Sequence, residues 1–160
     1  KRGPLSHFVS LATWGVALVS DAPAISQPGP TVVQTGSTDE GGGRLLTVRI
    51  TSSRRARAVS VRIPDREVID TRIDGRLAGS PSDASTWLPG RWGLEYVNVP
   101  PEGIELTVRV KGSGPITLVV ADRSDGLPDI PGRAATPRPA WSIPIHRGDM
   151  TILQVSVTFP

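Results

Sequence analysis

No cysteine occurs among the 160 residues. That excludes a disulfide scaffold, a thiol nucleophile and any Cys-ligated metal site. Histidine is nearly absent too, with His7 and His146 near opposite ends of the chain and neither in an H-E-x-x-H pattern. The chain carries one Met, one Tyr and two Phe. No apolar run reaches the ~18 residues of a membrane-spanning helix. The best run, residues 8–19, is interrupted by Ser10, Thr13 and Gly15. Acid is missing from residues 44–63, which hold Arg44, Arg49, Arg54, Arg55, Arg57 and Arg62.

Glycine and proline, 17 and 16 residues, are abundant but follow no Gly-X-Y period, so a collagen helix is excluded. Hydrophobic residues make up 38%, enough to build a core. All but two of the 18 basic residues are arginine, the exceptions being Lys1 and Lys111, which holds the isoelectric point near 10.2 at a net charge of only +3. The arginine-rich block reads as a solvated sheet face with Arg54, Arg55 and Arg57 at a hairpin tip. Such a tip could meet an anionic membrane surface. Nucleic acid is not expected, because no aromatic residue interleaves the basic block. The chain opens on Lys1-Arg2-Gly3-Pro4, which reads as a fragment of a longer protein. Lack of cysteine fits an extracytoplasmic location.

The dominant hydrophobic period is two. In residues 104–111, Ile104, Leu106, Val108 and Val110 alternate with Glu105, Thr107, Arg109 and Lys111. The same alternation runs through 44–52, 57–63, 115–121 and 151–159, and more weakly through 13–20, 31–35, 67–73 and 92–99. One apolar and one polar face mark an antiparallel sheet wetted on one side. Asp39–Gly43 and Lys111–Pro115 read as hairpin loops, Asp74-Gly75 as a turn, and Pro100–Gly103 as a break between strands. Residues 5–12 carry a short helical stripe without a cap. Together these predict one all-β domain over residues 1–160. It is a two-layer, mostly antiparallel β-sandwich, Ig-like or jelly-roll-like, of about seven to nine strands. Leu46, Val48, Val61, Leu106, Val108, Leu118, Val155 and Val157 are expected in its core.

Two segments are irregular. Residues 78–91 form a small-residue loop holding Trp87. Residues 127–144 carry five prolines in eighteen positions. This Pro-rich loop is expected to be ordered, with Trp141 buried and Leu127, Ile130 and Ile143 as apolar anchors.

Reactive constellations fail. Asp122, Asp125 and Asp129 lack the spacing of a calcium loop and read as a turn in which Asp122 and Ser124 bond local backbone. There is no G-x-S-x-G elbow, and Gly41–Gly43 precedes a strand without a phosphate-loop Lys. Glu102 and Glu105 sit on a turn and a polar strand face. The expectation is therefore no catalytic residue, metal ligand or cofactor in this chain. The remaining binding signal is aromatic. Trp87 and Trp92 flank Leu88–Arg91 and could form one platform, with Trp141 as a third candidate. That pattern admits a carbohydrate-binding β-sandwich of a secreted or surface protein.

Four strings, in order, resemble one family region: VSDAPAI (19–25) with QPGPTVVQTGSTDEGGGRLLTVRITSSR (27–54); PPEGIELTVRVKG (100–112) after GLEY; GPITLVV with DRSDGLPDIPG (122–132); and DMTILQVSVTF (149–159). Together they resemble the C-terminal extracytoplasmic domain of membrane-anchored family-28 zinc metallopeptidases, of the aminopeptidase-like vacuolar and endoplasmic-reticulum membrane type. The resemblance implies a non-catalytic accessory domain that packs on the catalytic domain of its own parent chain or on the membrane surface. Zinc and the acid/base carboxylate would belong to that separate peptidase domain.

Overall fold

The computed structural model describes residues 2–3, 17–18, 25–78, 92–132, 139–142 and 149–160. The helical stripe at 5–12, most of the 13–20 strand candidate, His7, Trp14, Trp87 with nearly all of its loop, Ile143 and His146 lie outside the described residues. Among the described residues there is no helix. A short ladder joins β1 (Arg2–Gly3) to β2 (Ala17–Leu18). The other nine strands form two antiparallel sheets packed face to face.

The first sheet runs β3 (Thr31–Glu40), β4 (Gly43–Thr51), β9 (Ile104–Lys111), β6 (Val68–Ile73) and β7 (Arg76–Leu77) in spatial order. The second runs β11 (Met150–Phe159), β10 (Ile116–Asp125), β5 (Ala58–Ile63) and β8 (Trp92–Val97). The order β3-β4-β9-β6 facing β11-β10-β5 is that of an immunoglobulin constant-type sandwich, with β7 and β8 added at one side. The all-β sandwich expected from the two-residue period is therefore present, in its Ig-like rather than jelly-roll form.

The period itself explains the core. Leu46, Val48 and Ile50 of β4 and Ile104, Leu106, Val108 and Val110 of β9 face Val59, Val61 and Ile63 of β5 and Ile116, Leu118 and Val120 of β10. Each is at most 1% exposed, so each contributes about 1.5–3 kcal/mol of burial. Val155 and Val157 of edge strand β11 pack against this core but stay half-buried, because no further strand among the described residues flanks them.

Two connections differ from expectation. The Lys111–Pro115 segment and the Arg54–Arg57 segment are not hairpins. Each carries the chain from one sheet to the other, β9 to β10 and β4 to β5. True hairpins occur where two residues take left-handed φ. Gly41 and Gly42 (φ 56° and 79°) join β3 to β4, and Asp74 and Gly75 (φ 48° and 77°) join β6 to β7.

The strand directions define two ends. At the lower end lie the β3–β4, β5–β6 and β9–β10 connections. At the upper end lie the β4–β5, β6–β7, β8–β9 and β10–β11 connections.

Candidate functional site

The upper end begins with an inward-facing run on β10. Ile116, Leu118 and Val120 share the core face, and the alternation continues to Asp122, which is fully buried. The carboxylate accepts a hydrogen bond from Ser52 Oγ at Oδ2, and Arg54 Nη2 donates to Oδ1. Arg54 Nη1 donates in turn to Ser124 Oγ at 2.7 Å. Asp122 thus pins the β4–β5 crossover onto β10, a strand 68 positions further along the chain. It is not in a local turn bonded to nearby backbone, as its Asp-rich surroundings suggest. Nor is Arg54 a solvated tip residue, since its side chain is only 12% exposed.

With Arg54 anchored inward, the crossover turns back through an Arg55 N to Ser52 O bond of 3.3 Å and holds Arg55 at φ 53°. Arg55 is exposed. Arg57 is exposed as well and lies 3.7 Å from Asp125, a loose surface pair. Asn98 N bonds Arg57 O at 2.7 Å and ties the β8–β9 connection to the same corner.

The β10–β11 connection leaves from Asp125 and returns at Met150. Gly126 N bonds Asp149 O at 2.7 Å, and Thr151 Oγ1 donates to Gly126 O at 2.8 Å, closing its base. Farther along, Ser142 N and Oγ both reach Pro139 O, at 2.9 and 3.0 Å, making a turn that presents Trp141. Trp141 is 88% exposed and Leu127 is 60% exposed. Both were expected to be buried anchors. Proline fixes φ without needing an apolar partner, and the turn from Pro139 to Ser142 closes on its own hydrogen bonds. Ile130 is half-buried.

Of the candidate interaction residues that are described, Trp92 and the three arginines stand at opposite ends of the sandwich. Arg54, Arg55 and Arg57 lie on the upper crossover. Trp92 pairs with Ile63 at the lower end and packs against the core, so it offers no open platform. Trp141 stands on the long connection, and Trp87 is outside the described residues.

The basic block is likewise dispersed. Arg44, 8% exposed, donates to Ser37 Oγ and to Gly114 O at the lower end. Arg49 pairs with Glu105 at 3.4 Å on the outer face of the first sheet. Arg62 reaches Gln154 at 3.3 Å on the outer face of the second. Neighbours in sequence alternate faces and change sheets, so a run of arginines does not make a patch. Arg123–Glu95 at 2.8 Å, Arg109–Asp70 at 3.1 Å and Lys111–Glu67 at 3.1 Å continue the pattern of ties between strands.

Among the described residues no three His, Asp or Glu side chains gather where a metal ion could be held. No helix of the described residues is long and apolar enough to cross a membrane. The chemistry of the upper end is mechanical anchoring below and display above. Both Asp122 oxygens are occupied, while Trp141, Leu127 and Arg55 face solvent. The inward role of Asp122, read from sequence as that of a turn residue, was signalled by the period-two run continuing past Val120, whereas nothing local signals its partner Ser52. Comparisons with protein-family models, with curated proteins and with solved structures return no match.

Proposed function

We propose that the chain is a non-catalytic accessory domain, read by resemblance as the C-terminal extracytoplasmic β-domain of a membrane-bound zinc peptidase. Its partner would be the catalytic domain of its own parent chain, beside the membrane that anchors the parent. The observation that carries the non-catalytic reading is how the charged side chains are used. Arg54–Asp122, Arg123–Glu95, Arg109–Asp70, Arg49–Glu105 and Lys111–Glu67 each join two strands or a crossover to a strand. The resembling strings 27–54, 100–112 and 149–159 supply β3, β4, β9 and β11, so the likeness falls on the framework of the sandwich. Zinc would belong to the peptidase domain. Reading the open reading frame upstream of Lys1 tests this directly. A zinc-peptidase domain followed by hydrophobic spans is expected, and a frame without either overturns the reading.

The exposure of Trp141 favours a second reading, a carbohydrate-binding module, because an indole face in water can stack on a sugar ring. Retention on immobilised polysaccharides that is lost in Trp141→Ala would select it over the first.

A further inference from the structure

Strands β3 and β11 are edges of the two facing sheets. Residues 25–30, ISQPGP, lead into β3 and bridge from one edge to the other. Gly29 lies against β11, where a Cβ would stand 3.0 Å from Val155 Cγ1, and Pro30 beside it is buried. Val155 pairs with Val120, a fully buried core residue, so its side chain points toward the facing sheet. The contact therefore falls between the sheets and seals one flank of the core. Ile25, Gln27 and Gly29 are half-buried and alternate with exposed Ser26 and Pro28, so one side of the segment rests on the sandwich.

This seal is held by packing. Pro28 and Pro30 have no N–H to donate to β11. Among the described residues no hydrogen bond or ion pair involves residues 25–30, and the segment carries no charge. By contrast β3, which follows directly, pairs with β4 from Thr31 to Glu40. Closure asks little of the chain, because Gln27 and Gly29 each precede a proline and are held extended without any partner. A segment with few buried contacts and no hydrogen bonds belongs to the low end of local stability.

We propose that residues 25–30 form a strap that opens and closes over the flank of β11 while the two sheets stay folded. Its hinge is the start of β3, and Gly29 is the residue that lets it shut. Opening uncovers Val155 together with Leu153 and Val157, a half-buried apolar row on a strand without charge. Closing covers that row with a segment that offers no donor at positions 28 and 30, so the sheet is not extended further. The strap thus sets when the apolar flank of β11 meets solvent.

Because the chain lacks cysteine, one introduced thiol reports alone, and its labelling by iodoacetamide reads the opening. Three sites are compared, with far-UV circular dichroism as the folding control: Val155→Cys beneath Gly29, Thr158→Cys exposed on the same strand, and Val108→Cys in the core. Val155→Cys should label about tenfold more slowly than Thr158→Cys, at a rate that stays flat in urea below the unfolding transition, since a strap exposes little surface when it opens. Val108→Cys should accelerate with urea, because it reacts only through global unfolding. Adding Gly29→Lys, whose charge resists burial on the position 155 side chain, should bring Val155→Cys within about twofold of Thr158→Cys and leave Val108→Cys unchanged. The strap is overturned if Val155→Cys labels as fast as Thr158→Cys with Gly29 in place, or follows urea as Val108→Cys does. It is equally overturned if Gly29→Lys leaves Val155→Cys unmoved or speeds both buried sites alike. None of these outcomes bears on the reading frame upstream of Lys1, so this inference and the accessory-domain reading fail separately.

Discussion

The two ends of the sandwich hold their loops by different means. At the lower end, arginines meet neutral acceptors. Arg44 donates to Gly114 O at 3.0 Å, and Arg66 to Pro115 O at 3.1 Å, so two guanidinium groups grip successive carbonyls of the β9–β10 crossover. At the upper end an arginine meets a buried carboxylate. Arg54 and Asp122 form an ion pair whose acid has no solvent exposure. A neutral acceptor that loses its donor loses one hydrogen bond, whereas a buried charge that loses its partner is left stranded. The upper end is therefore the more brittle in its anchor, and it is also the end that displays Arg55.

The sharpest way to break this contrast is Asp122→Ala. It leaves the Arg54 guanidinium mostly buried with its ion partner gone and should lower stability by about 3–5 kcal/mol. Chemical denaturation measures it. The double variant Arg54→Met with Asp122→Leu should recover most of the loss, because an apolar pair of similar volume avoids the desolvation of both ions. A single variant losing under about 1 kcal/mol would show that water reaches Arg54 and that the two ends are alike.

Gly103 offers the next largest effect. It closes the β8–β9 connection at φ 80°, where a Cβ would stand 2.1 Å from Ile50 O. Gly103→Ala should cost about 3 kcal/mol through strain and displacement of β4. Gly41→Ala is the lower-end control. Its φ is 56° but nothing lies within 4 Å of the added carbon, so about 1 kcal/mol of backbone strain is the whole effect.

How much of this was legible depends on distance along the chain. Strands β4 and β9 announce themselves, because Leu46–Val48–Ile50 and Ile104–Leu106–Val108–Val110 alternate with polar letters and both faces are read within eight or nine residues. The two hairpin turns were equally plain, since Gly-Gly and Asp-Gly are the residues that tolerate left-handed φ. Strand β10 was read as ending at Ala121, four residues early, because Asp122-Arg123-Ser124-Asp125 has the composition of a turn. What overrides composition there is Arg54, and no local pattern can show a partner so far away. Trp141 failed for the opposite reason. An apolar side chain in a Pro-rich stretch looks like an anchor, yet the turn from Pro139 to Ser142 is complete without burying it. The resemblance-based function was never written in the local pattern at all.

At the lower end, Arg44→Ala should cost about 2 kcal/mol, the value of charge-assisted hydrogen bonds to Ser37 Oγ and Gly114 O. A loss as large as that of Asp122→Ala would erase the distinction between neutral and charged anchors. Arg66→Ala, on a half-exposed side chain that donates to one carbonyl among the described residues, should fall within about 0.5 kcal/mol of wild type.

The smallest effect is the most discriminating for the upper loop. Arg55 is a non-glycine residue at φ 53°, three residues after Ser52 and directly after the anchored Arg54. If the Arg54–Asp122 tie fixes the crossover, residue 55 must keep its left-handed backbone whatever side chain it carries. Arg55→Ala then retains the Cβ penalty, and Arg55→Gly relieves it at the expense of a more flexible unfolded chain. Glycine should exceed alanine in stability by about 1 kcal/mol when the two variants are compared in the same denaturant titration. The exposed guanidinium is lost from both, so its surface electrostatics cancel in the difference. Placing the same pair of substitutions in an Asp122→Asn background tests the cause. Once the buried carboxylate charge is gone, the crossover is free to relax, and the advantage of glycine over alanine should shrink toward zero. An advantage that persists unchanged would mean that the turn from Ser52 to Arg55 holds itself, with the ion pair beneath it securing only the strand.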